Sequence, residues 1–222
     1  MPRNLFTRGL PKFAKTFDMT AIIKESLTRS HSYGEYRAII SQLLADGKAT
    51  GAVQSDELTH YSLLNETRMN RLEKTIELKP EITQSLSGIK KKYTWLVISE
   101  GWCGDAAQIV PIIHLMAESA PKIDLRIVFR DENEELMNLF LSNGAKSIPK
   151  LIVIDDEHKV VAHWGPRPKG AAELILRKKA EFGAVTDQIK ADLQLWYLHD
   201  KGHSTMQEIT SIMVKADSNL VQ

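Results

Sequence analysis

The sequence predicts an α/β protein with a mixed central sheet flanked by helices, and with N-terminal and C-terminal helical extensions. Three observations carry this reading. Between residues 90 and 182, apolar strand-like runs alternate with helix-like stretches in the order β-α-β-α-β-β-α. The helical stretch after the second strand stops at Asn143-Gly144, a sequence suited to a left-handed turn. The last two strands lie close together around Asp155-Asp156-Glu157 and read as a hairpin, so the sheet is parallel early and antiparallel at its end.

Taken in chain order, residues 18–30 and 33–45 read as two short helices, on Ile22, Ile23 and Leu27, then Tyr36, Ile39, Ile40, Leu43 and Leu44. Gly47 and Gly51 break the pattern. Ser55 is an N-cap for a long helix reaching about residue 78, where Pro80 stops it. The buried-strand run 95–99 leads into a turn bearing the only cysteine, Cys103, and then a helix over 105–119 with Ile109, Ile112, Ile113 and Met116. Strand 125–129, helix 132–141, strands 150–154 and 159–163, and helix 170–182 follow. A C-terminal helical segment over 186–199 carries Ile189, Leu193, Trp196 and Tyr197. The expected organisation is a flexible leader over 1–17, a helical extension over 18–89, the α/β domain over 90–182 and a second helical extension over 183–222. The apolar faces of the flanking helices serve one of two ends, covering one side of the core or forming a homodimer interface.

Composition narrows the function. With 29 basic against 28 acidic side chains the net charge is +1, which gives no global electrostatic case for nucleic acid or membrane binding. No run approaches the roughly 18 apolar residues of a membrane span. Residues 1–17 carry Arg3, Arg8, Lys12 and Lys15 but no continuous apolar stretch, which makes a poor secretory signal and leaves a transit peptide or a start at Met19 open. A single cysteine allows no internal disulfide and fits a reducing compartment, so a cytoplasmic location is expected. The 7 histidines show no metal-ligand spacing, and no phosphate loop, dinucleotide fingerprint or nucleophile elbow is present. Neither a metal nor another cofactor is expected.

Cys103 is the natural candidate for chemistry. A thiol at a strand-to-helix turn meets backbone N–H groups and the positive end of the helix dipole, both of which favour a thiolate. Asp105, two residues on, complements the same dipole but opposes ionisation of the thiol. Arg167 is a candidate to offset Asp105 or to grip a ligand carboxylate. Arg130 is a weaker candidate, with Asp131 or Glu134 as its ordinary partner. Lys150 points either into the site or to solvent.

The order of elements and the motifs together resemble the thioredoxin fold family. Trp102-Cys103-Gly104 matches the start of its Trp-Cys-Gly-Pro-Cys motif. Pro111 takes the place of its helix-kinking proline. Ser147-Ile148-Pro149 matches the Gly-Ile-Pro before the third strand, and Gly165 the glycine beyond the last strand. The resemblance covers roughly residues 90–182. The whole chain is also similar to a bacterial branch of thioredoxin-like proteins in which Trp-Cys-Gly-Asp-Ala and Trp-Gly-Pro-Arg-Pro recur. The resemblance implies a cis proline at Pro149 and a substrate groove lined by Trp102, Cys103, Ile148, Pro149, Trp164 and Gly165.

The departures from the family pattern are equally specific. Asp105 stands for the motif proline, Ala106 for the second cysteine, and Val97 for the buried acid of the central strand. A two-cysteine reductase cycle cannot run within this chain. The leading expectation is a single-cysteine thiol-disulfide oxidoreductase, with Cys103 and Asp105 as catalytic residues and an external thiol closing the cycle. The partner would be a thiol- or disulfide-bearing protein or a glutathione-like small thiol. The alternatives are a redox-inactive binding module that keeps the groove, and a single-thiol redox sensor.

Overall fold

The computed structural model describes residues 18–219; the leader expected over residues 1–17 lies outside the described residues. The chain begins with helices α1 (Met19–Thr28), α2 (Tyr33–Ala45), α3 (Asp56–Thr75) and α4 (Pro80–Ser87). Their starts follow from side-chain caps. The Asp18 carboxylate accepts the Thr20 and Ala21 N–H groups, Ser32 and Glu35 form a reciprocal capping box, and Ser55 Oγ accepts the Leu58 N–H.

Pro80 does not stop α3, as the sequence reading had it; it begins α4. The long helix already ends at Thr75, with extended backbone at Ile76 and Lys79. A residue before proline avoids the helical region, whereas proline at the first helical position loses no hydrogen bond.

The sheet is built from β1 (Tyr93–Ser99), β2 (Ile123–Phe129), β3 (Lys150–Asp155) and β4 (Val160–Trp164), in the order β2-β1-β3-β4. β1 runs parallel to β2, with Val97 opposite Ile127, and antiparallel to β3, with Val97 opposite Leu151. β3 and β4 pair antiparallel, placing Leu151 opposite Trp164, with an irregularity between Val153 and Ile154. β1 is central and covered on both faces, which is why Trp95, Leu96, Val97 and Ile98 form an unbroken apolar run rather than an alternating one.

Between β1 and β2 lies α5 (Gly104–Glu118), and after β2 a 3-10 turn over Arg130–Glu132 and the short α6 (Glu134–Leu139). The helix expected over 132–141 is thus shorter. Asn133 leaves helical geometry and its side-chain amide donates to the Phe129 carbonyl, while Asn143 and Gly144 turn the chain inside a Ser142–Ala145 bridge rather than capping the helix directly.

Three helices follow the sheet: α7 (Lys169–Phe182), α8 (Asp187–Asp200) and α9 (His203–Asn219). Within the helical extension expected over 183–222, the sequence delimited a helix only over 186–199; α9 carries a further buried stripe of Met206, Ile209, Met213 and Ala216 that packs toward β4, α4 and α5. Asp217 at its end accepts the Lys90 and Lys91 N–H groups (3.0 and 3.2 Å) and the Tyr93 hydroxyl (3.2 Å), fastening α9 to the entry of β1. Residues of the flanking helices, among them Ile23, Tyr36, Met69, Leu193 and Met206, join the sheet residues in one continuous core.

Candidate functional site

β1 ends at Ser99, and Cys103 is the N-cap of α5 four residues later. The thiol donates to the Ile148 carbonyl at 3.4 Å, and the Ala106 N–H approaches Sγ at 3.5 Å. Only 9% of Cys103 is exposed. Burial, and next to it the Asp105 carboxylate, push the thiol up to about 12; the Ala106 and Asp105 N–H groups and Arg167 pull the other way, more weakly. The favourable helix-start position is therefore outweighed by desolvation and a neighbouring negative charge.

Asp105 is buried in the first turn of α5 and held from two sides. Arg167 Nη2 lies 2.6 Å from Oδ2, and the Tyr197 hydroxyl donates to Oδ1 at 2.8 Å. Burial and the adjacent carboxylate keep the Tyr197 phenol protonated. Asp105 thus joins the cysteine turn to the loop after β4 and to α8. Tyr197 entered the sequence reading only as an apolar position; its hydroxyl meets Asp105 across 92 residues of chain, a pairing that local pattern does not reveal.

The turn itself rests on a second polar cluster. Glu100 is fully buried, accepts the Thr50 hydroxyl and the Asp131 N–H (2.9 Å), and is pushed up to about 7 by burial. Thr50 Oγ1 accepts the Gly101 N–H, and the buried Asn65 side-chain amide donates to the Gly101 carbonyl, both at 2.9 Å. Arg130 pairs with Asp131 at 2.8 Å, and its guanidinium lies over the Trp102 ring, 4.7 Å from the ring centre.

Ile148 and Pro149 are buried and joined by a cis peptide, as is Gly165-Pro166. Gly165 takes φ +109°, and a Cβ there would stand 2.4 Å from the Pro149 carbonyl oxygen, so only glycine lets these two loops touch. Lys150 turns inward: its ammonium donates to Ser142 Oγ (2.8 Å) and the Gly165 carbonyl (3.0 Å), and burial lowers its pKa. The Trp164 indole N–H donates to Glu208 of α9 at 2.7 Å.

A cleft of about 570 Å³ opens on the cysteine turn. Of the residues singled out in the sequence, Trp102, Cys103, Asp105 and Arg167 line it; Ile148, Pro149, Trp164 and Gly165 are not among its lining residues. Its opposite wall comes from the helical extensions, with Tyr61 and Arg68 on α3 and Lys190 and Gln194 on α8. Those residues carried no signal by themselves, because α3 and α8 read simply as amphipathic helices. Among the described residues no group of three His, Cys, Asp or Glu side chains is arranged to hold a metal, and no helix is long and apolar enough to cross a membrane.

Two solved structures share the overall fold. A Pseudomonas aeruginosa protein of unknown function superposes with a TM-score of 0.53 and 17% identity over 84% of this chain and 99% of its own. An HIV epitope-scaffold superposes at 0.51 with 21% identity, covering 82% and 98%. Thioredoxin of Bacillus subtilis (strain 168) is 32% identical over 78 residues, which is 35% of this chain and 72% of that protein. A family profile described as Thioredoxin matches residues 51–186, a span that includes α3 and α4 as well as the sheet. With the sheet order, the cysteine turn and this match in agreement, the chain belongs to the thioredoxin family.

Proposed function

We propose that this protein is a thioredoxin-fold binding module in which the cleft beside Cys103 takes up a ligand and the thiol does not turn over. The observation that carries this reading is the state of Cys103. Its thiol donates to the Ile148 carbonyl, a bond that only the neutral form can make, and Asp105 stands two residues away. With the thiol pushed up to about 12 by burial and by Asp105, the neutral form dominates at neutral pH. Ala106 supplies no second thiol, and Val97 no proton-transferring acid. Asp105, held by Arg167 and Tyr197, serves to tie the turn to the loop after β4 and to α8.

One observation favours the single-cysteine oxidoreductase as a second reading: the Ala106 N–H is aimed at Sγ, where it would stabilise a thiolate. In that reaction the Cys103 thiolate attacks one sulfur of a disulfide and releases the other as a thiolate. An external thiol then attacks the mixed disulfide, freeing Cys103 and leaving with the ligand sulfur as a new disulfide. The rate of Cys103 alkylation as a function of pH separates the two. A thiol that reacts only in strong base supports the binding module, and a thiolate present at neutral pH supports the oxidoreductase.

A further inference from the structure

Among the described residues, one cation of the cleft has no counter-charge. Arg68 reaches from α3 over the start of α5; its Nη1 would lie 3.6 Å from a Cβ placed on Gly104. Among the described residues its side-chain partner is Asn65, whose Oδ1 accepts from Nη1 at 2.7 Å. The ionisable groups that act on it are the Tyr61 phenol and the Arg71 guanidinium, neither of them a carboxylate, and burial lowers its pKa. Asn65 is itself buried and fixed by its bond to the Gly101 carbonyl, so the guanidinium is held in place before any ligand arrives.

The other charges of the cleft are already matched. Arg167 pairs with Asp105, and Lys190 pairs with Asp187 at 3.0 Å. Glu57, the remaining acid of the lining, is exposed and lies eleven residues before Arg68 on the same helix, about 16 Å away along its axis. The Trp102 indole N–H and the Arg167 Nε are buried without an acceptor among the described residues, and both residues line the cleft. A half-buried guanidinium without an acid, in a cleft that Trp102 and Arg167 also line, is a cost to the protein that an anionic acceptor at Arg68 removes.

We infer that the cleft binds a carboxylate group at Arg68, carried by a ligand of small-molecule or short-peptide size, with the Trp102 indole N–H and Arg167 supplying further donors. This rests on the reading of the cleft as a ligand-binding surface. The planar carboxylate suits the free edge of the guanidinium, and the volume of about 570 Å³ is that of a small-ligand pocket.

The test is a titration of the whole protein followed by the Trp102 indole N–H resonance. The probes are N-acetyl-Ala-Ala as the free acid, the same dipeptide as its C-terminal amide, and acetate. The free acid is expected to shift the resonance saturably and the amide to leave it in place. Arg68→Gln is expected to weaken binding of the acid about tenfold or more, and Arg68→Lys, which keeps the charge but loses the planar fork, to weaken it less. Acetate binding as tightly as the dipeptide acid assigns the site to a free small carboxylate, and tighter binding of the dipeptide assigns it to a peptide terminus; either supports the inference. Equal binding of acid and amide, unchanged affinity in both Arg68 variants, or no saturable shift with any probe overturns it. Cys103 alkylation on the same samples keeps the two conclusions apart: a reactive thiol with carboxylate binding intact refutes the inert-thiol reading alone, and an inert thiol without carboxylate binding refutes this inference alone.

Discussion

The Tyr197 hydroxyl on α8 donates to Asp105 Oδ1 at the start of α5, at 2.8 Å, and so a C-terminal helix holds the residue two positions after the cysteine. Both side chains are buried. Removing the hydroxyl takes one donor from a buried carboxylate, which costs about 2 kcal/mol when the acceptor is charged. Tyr197→Phe is therefore expected to lower stability by about that amount in urea unfolding, with the helical signal of the folded state retained. A change within a few tenths of a kcal/mol would show that Arg167 alone satisfies Asp105.

Asp105 also acts on the thiol. After burial, its carboxylate is the largest influence raising Cys103. Asp105→Asn removes the charge at nearly constant shape, so the pH midpoint of Cys103 alkylation is expected to fall. It should stay above the ordinary thiol value of about 8.5, because desolvation remains. A midpoint unchanged from the wild type would mean that burial alone sets it.

Glu100 links the Thr50 loop, the end of β1 and the turn after β2, and burial pushes it up from 4.5 to about 7. Between those values the folded state keeps a proton that the unfolded chain has released. Stability attributable to this group is thus fully present below pH 4.5, declines as pH rises toward 7, and is flat above. Denaturant midpoints measured from pH 5 to pH 8 are expected to show this decline in the wild type and a shallower one in Glu100→Gln, which mimics the protonated acid. Equal slopes in the two proteins would remove Glu100 as the cause.

Gly165 allows the loop after β4 to meet Pro149. Gly165→Ala brings a Cβ to 2.4 Å from the Pro149 oxygen at a φ of +109°. The expected result is destabilisation of about 2 kcal/mol or more, together with loss of the Arg167–Asp105 pairing as the loop withdraws. Thermal unfolding and the Cys103 alkylation midpoint, which rises when Arg167 leaves, check the two halves of this expectation.

The sheet and its cysteine turn were legible because their signals are local. An unbroken apolar run marks a strand covered on both faces, and Trp102-Cys103-Gly104, Ile148-Pro149 and Gly165 stand in order with family spacing. Pro80 was misread because proline both ends and begins helices, and only the extended Ile76 and Lys79 decide which. The far wall of the cleft was not legible. Arg68 and Tyr197 are ordinary residues of amphipathic helices until folding brings them to Gly104 and Asp105, and no spacing along the chain encodes that meeting. The same holds for Cys103: its helix-start position favours a thiolate, but its burial and its bond to the Ile148 carbonyl are tertiary facts.

The most direct measurement is the rate of iodoacetamide reaction at Cys103, the single thiol, from neutral pH into strong base. With the thiol held at about 12, the rate is expected to climb with every step in pH and to show no plateau in the neutral range. A rate that levels off below the ordinary thiol value of about 8.5 would establish a thiolate at neutral pH and contradict the inert-thiol binding module.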